Sequence, residues 1–197
     1  MSMHLQRQIE SLKRKILALG AKVEEMVQGA IDSIEARDPD LARQVIQRDE
    51  QIDETELDVE EECLHTLVLH QPVAFDIRYV VAVMKINNEL ERIADLAVNI
   101  AEQAVFLAES PRLSRAPFDL AEMSRKVRQM VREALDALVN VDPNLAEEVR
   151  LLDDHVDVIH REMYDKVEAG IRENPQLVAT YIHYLNVSRN LERIADH

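Results

Sequence analysis

Apolar residues recur every three or four positions along most of the chain, which is typical of helices that bury one face. The first such stripe consists of Ile9, Leu12, Ile16, Leu19, Val23, Met26, Ala30 and Ile34. It predicts a helix of roughly 30 residues and roughly 45 Å. Asp38-Pro39 then ends this helix and starts the next, because Asp accepts hydrogen bonds from free amides and Pro is tolerated in a first turn.

The same spacing predicts a second helix over 39–70 and a third over 72–109, divided at Gln71-Pro72. Polar residues interrupt their apolar stripes, namely Asp49, Glu56, Asn87 and Glu91. The stretch 110–117 is the only one that resembles a linker. Three further helices follow it, punctuated by Asp142-Pro143 and Asn174-Pro175.

The second half of the chain repeats the first. Segment 38–42 (DPDLA) matches 142–146 (DPNLA) at an offset of 104, and after a short deletion the hexapeptide LERIAD at 90–95 recurs at 191–196 at an offset of 101. We therefore predict an all-α fold of two tandem three-helix bundles, over 1–109 and 110–197. Since the last helix stops just after the motif, we expect the native protein to continue by roughly one and a half to three turns, the alternative being a shorter native helix.

The composition of the chain limits the classes of fold and function that it can have. With 3 glycines and 6 prolines in 197 residues, an all-β fold is nearly excluded, and because Gly20, Gly29 and Gly170 are far apart, no glycine-rich phosphate loop is present. The chain has 38 acidic residues and 23 Lys and Arg, which gives a net charge of −15. This charge disfavours binding to nucleic acids and favours binding to cations or to a basic partner. It is also compatible with a role in solubility alone. Cys63 is the only cysteine, so no internal disulfide is possible. Without a signal peptide or an apolar span, the chain is expected to be soluble and cytoplasmic.

Each half carries two carboxylate pairs spaced by four residues, and this spacing places both members on one helix face. The pairs are Asp49/Asp53, Glu91/Asp95, Asp153/Asp157 and Glu192/Asp196. Like charges at this spacing repel by a few tenths of a kcal/mol, which a bound cation would offset. Carboxylate oxygens on facing helices suit hard cations such as Mg, Ca, Mn or Fe. We interpret these eight residues as metal ligands.

Other interpretations of the polar residues remain. Acidic pairs such as Glu56/Glu60 occur freely in a chain this acidic, and most are solvated. Arg92 and Arg193 could neutralise the pairs, although their position directly after a Glu points them to another helix face.

The remaining candidates for chemistry are weaker. Glu62-x-x-His65 has the spacing of di-iron carboxylate proteins but occurs only once, Asp157-x-x-His160 only imitates it, and Cys63 is expected to be a buried hydrophobe. No nucleophile or general acid stands out.

Several segments resemble the PhoU family of phosphate-transport regulators. QPVAFDIR at 71–78 resembles the family's P-x-A-x-D-L-R motif, with Ile77 in place of the usual Leu. ERIAD at 91–95, followed by NIAE at 99–102, resembles its E-R-I-G/A-D-x-x-x-N-I-A-E signature. ERIADH at 192–197 is a second copy that stops before NIAE. The likeness covers nearly the whole chain, including the duplicated three-helix layout.

This resemblance implies a cytoplasmic, non-catalytic regulator that reaches the membrane only through partners. Those partners would be the PstB-type ATPase of a phosphate ABC transporter and a PhoR-type sensor kinase, and the starvation response would be held off when phosphate is plentiful. Family members bind iron, zinc or magnesium clusters through E/D-x-x-x-D motifs, which here are the eight carboxylates, and they are usually homodimers. A carboxylate-bridged di-metal oxidase and a bare helical scaffold are the competing hypotheses.

Overall fold

The computed structural model describes residues 3–113 and 116–197, and within them the chain forms helices and no strand. The helices are α1 (Met3–Ala36), α2 (Pro39–Gln47), α3 (Asp49–His70), α4 (Phe75–Glu109), α5 (Leu120–Asn140), α6 (Pro143–Glu173) and α7 (Val178–Asp196), with a 3₁₀ turn at Pro175–Leu177. Helices α1–α4 form unit one and α5–α7 form unit two. The predicted all-α fold of two tandem three-helix bundles is confirmed, while the domain limits at 109 and 110 stay a prediction.

The first helix of each unit ends in the same turn. Arg37 and Val141 adopt left-handed backbone angles, with φ of 54° and 53°. The next residue, Asp38 or Asp142, donates its amide to the carbonyl five residues earlier at 2.9 Å. The Oδ1 atoms of these aspartates then accept two amides of the following helix, at 2.9 and 3.1 Å in unit one and at 3.0 and 3.2 Å in unit two. The repeat seen in the sequence is therefore also a repeat of local structure.

The helix predicted over 39–70 is divided at Arg48 into α2 and α3. Arg48 keeps right-handed angles (φ −73°, ψ −15°), and its amide contacts the carbonyls of Gln44 and Val45 at 3.2 and 3.1 Å. The division is thus a local change of hydrogen bonding. The third helix begins at Phe75 rather than near residue 72, because Ala74 has φ 51° and ψ −112° and cannot belong to a helix.

The core is continuous through both units. The α1 stripe is buried, and α1 contacts α2, α3 and α4 of its own unit as well as α5 of the other. Helix α4 likewise contacts α7. At the α1–α5 contact, Gly20 lacks the side chain that would overlap Cδ1 of Leu135. No helix in the described ranges is both long and apolar enough to cross a membrane.

Candidate functional site

A buried polar contact sets the register between the last two helices of each unit. In unit one, Asn87 on α4 is fully buried, and its Nδ2 donates to the Glu56 carboxylate at 2.6 Å and to the Glu56 carbonyl at 3.0 Å. In unit two, Ser188 Oγ on α7 lies 2.8 Å from Nδ1 of His160 on α6. Glu56 and His160 are related by the offset of 104, and Asn87 and Ser188 by the offset of 101. The two units therefore align their helices in the same way.

This register brings the four predicted carboxylates of unit one together. We call Asp49, Asp53, Glu91 and Asp95 cluster one. Partial burial raises the pKa of Asp49, and the charges of Asp53 and Asp95 raise it further. Burial also raises the pKa of Glu91, followed by the charges of Asp95 and Asp53. Carboxylates on both helices therefore act electrostatically on Asp49 and on Glu91.

Unit two repeats this arrangement, and we call Asp153, Asp157, Glu192 and Asp196 cluster two. Partial burial raises the pKa of Asp153, and the charges of Asp157 and Asp196 add to it. The pKa of Glu192 is raised by burial and then by Asp196, Asp157 and Asp153. Oδ1 of Asp153 is buried without a hydrogen-bond partner, which is costly unless some group binds it.

One arginine acts on each cluster without forming an ion pair: the charge of Arg92 lowers the pKa of Glu91, and that of Arg189 lowers the pKa of Glu192, both against larger raising contributions. In residues 3–113 and 116–197, no lysine, arginine or histidine forms an ion pair with any of the eight carboxylates. The ion pairs involve other acids: Arg92 Nη1 lies 3.1 Å from Glu89, while Lys15 pairs with Asp58 at 3.2 Å and with Glu62. The two clusters are thus distinct from the neutralised acidic pair at 58 and 62.

The donor set fits a hard cation. All eight groups are carboxylates, four to a cluster, and Asp153 offers a buried oxygen that has no partner. As the side chains stand, no three acidic, histidine or cysteine groups of the described chain meet at a point where one metal ion could bind. Side-chain rotation would therefore be needed for the carboxylates to converge on an ion. A bound cation would supply local positive charge to a strongly negative surface.

Two neighbours of the clusters were not predicted as site residues. Glu56 follows Asp53 by three residues, and its charge adds to the raised pKa of Glu91. His160 follows Asp157 by three residues; burial lowers the pKa of His160, the charge of Asp157 raises it, and the charge of Arg189 lowers it further. In the sequence, the signal for Glu56 was that it interrupts the apolar stripe of the second predicted helix, as Asp49 does. His65, in contrast, is exposed, and its partner in the motif, Glu62, is paired with Lys15.

Comparison with known protein families identifies the family to which this chain belongs. The model of the PhoU domain matches residues 16–104 and matches again over 120–197. The chain belongs to the PhoU family. The resemblance seen in the sequence motifs is confirmed, and both copies of the PhoU domain include one acidic cluster.

Relatives match over the whole chain. Proteins named phosphate-specific transport system accessory protein PhoU homolog are 33% identical in Pseudomonas putida and 34% identical in Aquifex aeolicus. These alignments cover 100% and 97% of this chain, and 77% and 86% of the relatives.

Solved structures of the family have the same fold. The crystal structure of PhoU from Pseudomonas aeruginosa superposes with a TM-score of 0.91 at 32% identity, covering 98% of this chain and 92% of the other. The regulatory protein PhoU from Streptococcus pneumoniae gives a TM-score of 0.86 at 24% identity, covering 98% and 90%, which shows the shared fold alone.

Proposed function

We propose that this chain is an accessory regulator of a phosphate-specific transport system. Its relatives over the full chain are named as accessory proteins of such a system. The proposal extends to negative regulation: when phosphate is plentiful, the protein connects a PstB-type transporter ATPase to a PhoR-type sensor kinase and holds the starvation response off. It would act in the cytoplasm, as a homodimer, and without turnover of its own.

The observation that supports an adaptor with bound metal is the pair of acidic clusters, whose carboxylates form no ion pair within residues 3–113 and 116–197. They occupy equivalent places in both units, and each spans two packed helices, with Asp53, Asp95 and Asp196 exposed and the other five carboxylates partly buried. A chain of net charge −15 attracts cations and repels anionic groups. Iron, zinc or magnesium held by the eight carboxylates would create a local positive site for an anionic group on a partner or for phosphate.

Affinity capture from phosphate-replete cells tests this proposal. Tagged wild-type protein should recover the transporter ATPase or the sensor kinase, and chelation should reduce the recovery. Asp49→Asn/Asp53→Asn should retain less metal and recover less partner, because it removes two ligands of cluster one. Glu50→Gln/Glu54→Gln is the matched control, since these two acids have the same spacing on α3 and are both exposed.

Three outcomes would contradict the proposal. One is recovery of neither partner by the wild-type protein, and another is equal recovery by metal-free and metal-loaded protein. The third is oxygen consumption by ferrous-loaded protein that disappears in Glu91→Ala, which would support the di-metal oxidase instead.

A further inference from the structure

The end of unit one, where α3 turns into α4, exposes a group of large apolar side chains that we call the apolar tip. Its members are Leu64, Val68, Leu69, Val73, Phe75, Ile77 and Val81, each between 40% and 73% exposed. At about 100 Å² of exposed area each, they form an apolar surface of about 700 Å², which exceeds the roughly 300–600 Å² of the largest patch on a typical monomer. Patches of this size commonly mark a site of interaction.

The apolar tip is contiguous across the two helices. The contact of Glu56 with Asn87 fixes the register of α3 against α4. Since both helices rise by about 1.5 Å per residue in opposite directions, Leu64 and Val68 lie level with positions 79 and 75 of α4. The exposed side chains of α3 therefore lie beside those that begin α4.

The turn between the helices presents two members of the apolar tip on a constrained backbone. Gln71 and Ala74 have positive φ angles of 43° and 51°, and Pro72 between them is buried. Strained angles of this kind persist only where the surrounding structure holds them. Val73 and Phe75 are thus presented without the ordering cost that a flexible loop would add on association.

Unit two has a different surface at the equivalent place on its α6 helix. The offset of 104 relates Leu64 and Val68 to Glu168 and Arg172. These two charged residues form an ion pair one helical turn apart. An exposed ion pair in unit two therefore takes the place of two apolar side chains in unit one.

The apolar tip is also uncharged, in a chain where 31% of the residues are charged and the net charge is −15. Residues 63–75 contain no Asp, Glu, Lys or Arg. The charged residues that flank this segment are Glu62, which pairs with Lys15, and Asp76. A basic partner would be attracted to the acidic surface elsewhere, whereas a second copy of the chain carries the same −15 and is repelled there. Two copies can therefore meet with least repulsion at the apolar tip.

We propose that two copies of this chain associate through the apolar tip, tip against tip about a twofold axis. A twofold contact uses the same surface patch on both copies. The patch of about 700 Å² per copy approaches the roughly 800 Å² that each partner buries in a stable interface. The inference rests on the proposed function in one respect, namely that the protein is a homodimer, and it adds the surface that forms the dimer.

Matched charge substitutions in the full chain test the inference by sedimentation equilibrium. Wild-type protein should be a dimer, and Ile77→Asp/Val81→Asp should raise the dimer dissociation constant by more than about 100-fold, because it places four carboxylates in one apolar contact. Val178→Asp/Ile182→Asp is the control, since the offset of 101 relates the two pairs. The control residues are 40% and 46% exposed, against 41% and 40% for the pair in the apolar tip. Circular dichroism shows whether both variants keep their helices.

Cross-linking provides a second readout that adds no charge to the contact. Phe75→Cys should be joined to its counterpart in the second copy by a short bismaleimide, while the native Cys63 is buried and should not react. Val178→Cys, on unit two, should not be cross-linked. Added NaCl should strengthen the association, because salt screens the repulsion between two acidic chains and leaves the apolar contact intact.

Two results would overturn the inference. Wild-type protein that stays monomeric is one, and binding of that monomer to phosphatidylcholine vesicles would assign the apolar tip to a membrane surface instead. The other is a dimer that persists unchanged in Ile77→Asp/Val81→Asp, which would leave the homodimer of the proposed function standing with a different interface. The affinity capture of transporter partners is a separate measurement, so the inference and the proposed function can fail independently.

Discussion

At the scale of single residues, the raised pKa values of the cluster carboxyls determine how the metal-free protein responds to pH. Partial burial, helped by Asp53 and Asp157, raises the pKa of Asp49 and Asp153 above the ordinary value of 3.8. A carboxyl whose pKa is higher in the folded state stabilises the fold below its unfolded pKa. It loses that contribution as the pH rises through the folded pKa. Without metal, these residues therefore make the protein less stable near neutral pH than in mild acid.

Asp49→Asn and Asp153→Asn should accordingly raise the free energy of unfolding at about pH 7 by several tenths of a kcal/mol, and by less at about pH 5. Urea unfolding in excess EDTA at the two pH values measures this difference. Glu50→Gln serves as the control for loss of an exposed charge. A loss of stability in the Asp→Asn variants at neutral pH would show that these carboxylates support the fold rather than strain it.

At the scale of the helices, the repeated turn predicts that loss of the capping aspartate lowers the free energy of unfolding by the same amount in both units. Asp38 and Asp142 each accept two amides at the start of the following helix in the same geometry. Substitution of either by Ala should cost about 1 kcal/mol, and the two losses should add because the caps are in separate units. Asp40→Ala, in the same turn, removes only an exposed ion pair with Arg43 and should cost less than about 0.5 kcal/mol. Denaturant unfolding of the three single variants and the double variant measures these costs, and unequal losses at 38 and 142 would contradict the prediction.

The helices could be predicted from sequence because the features that define them are local. Apolar spacing, the Asp-Pro starts and the carboxylates four residues apart each depend on a few neighbouring positions. The division at Arg48 and the positive φ of Ala74 depend on how the segments pack, and the residue types at these positions do not predict them. The buried polar contacts beside the clusters, from Glu56 to Asn87 and from His160 to Ser188, depend on the register between two helices. That register becomes visible only in the folded chain.

At the scale of the whole molecule, stability depends on the contact between the units as well as on each bundle. Gly20 in α1 faces Leu135 in α5, and any side chain at position 20 would overlap Cδ1 of that leucine. Gly20→Leu gains about 0.8 kcal/mol in helix propensity, whereas overpacking a buried contact typically costs about 1–3 kcal/mol. The net effect should be a loss of about 1 kcal/mol, because the overpacking cost exceeds the propensity gain. Since one core continues through both units, the loss should affect the whole chain in a single transition.

Thermal and urea unfolding, followed by circular dichroism, measure the effect of Gly20→Leu. Ala18→Leu places the same side chain at an exposed position two residues earlier on α1 and should change stability by less than about 0.5 kcal/mol. If Gly20→Leu were more stable than the wild-type protein, helix propensity would dominate and the contact between α1 and α5 would be loose. A transition that separated into two steps would show that the units fold independently and that the shared core contributes little. A single transition at lower denaturant concentration would instead mean that the two units unfold cooperatively through their shared core.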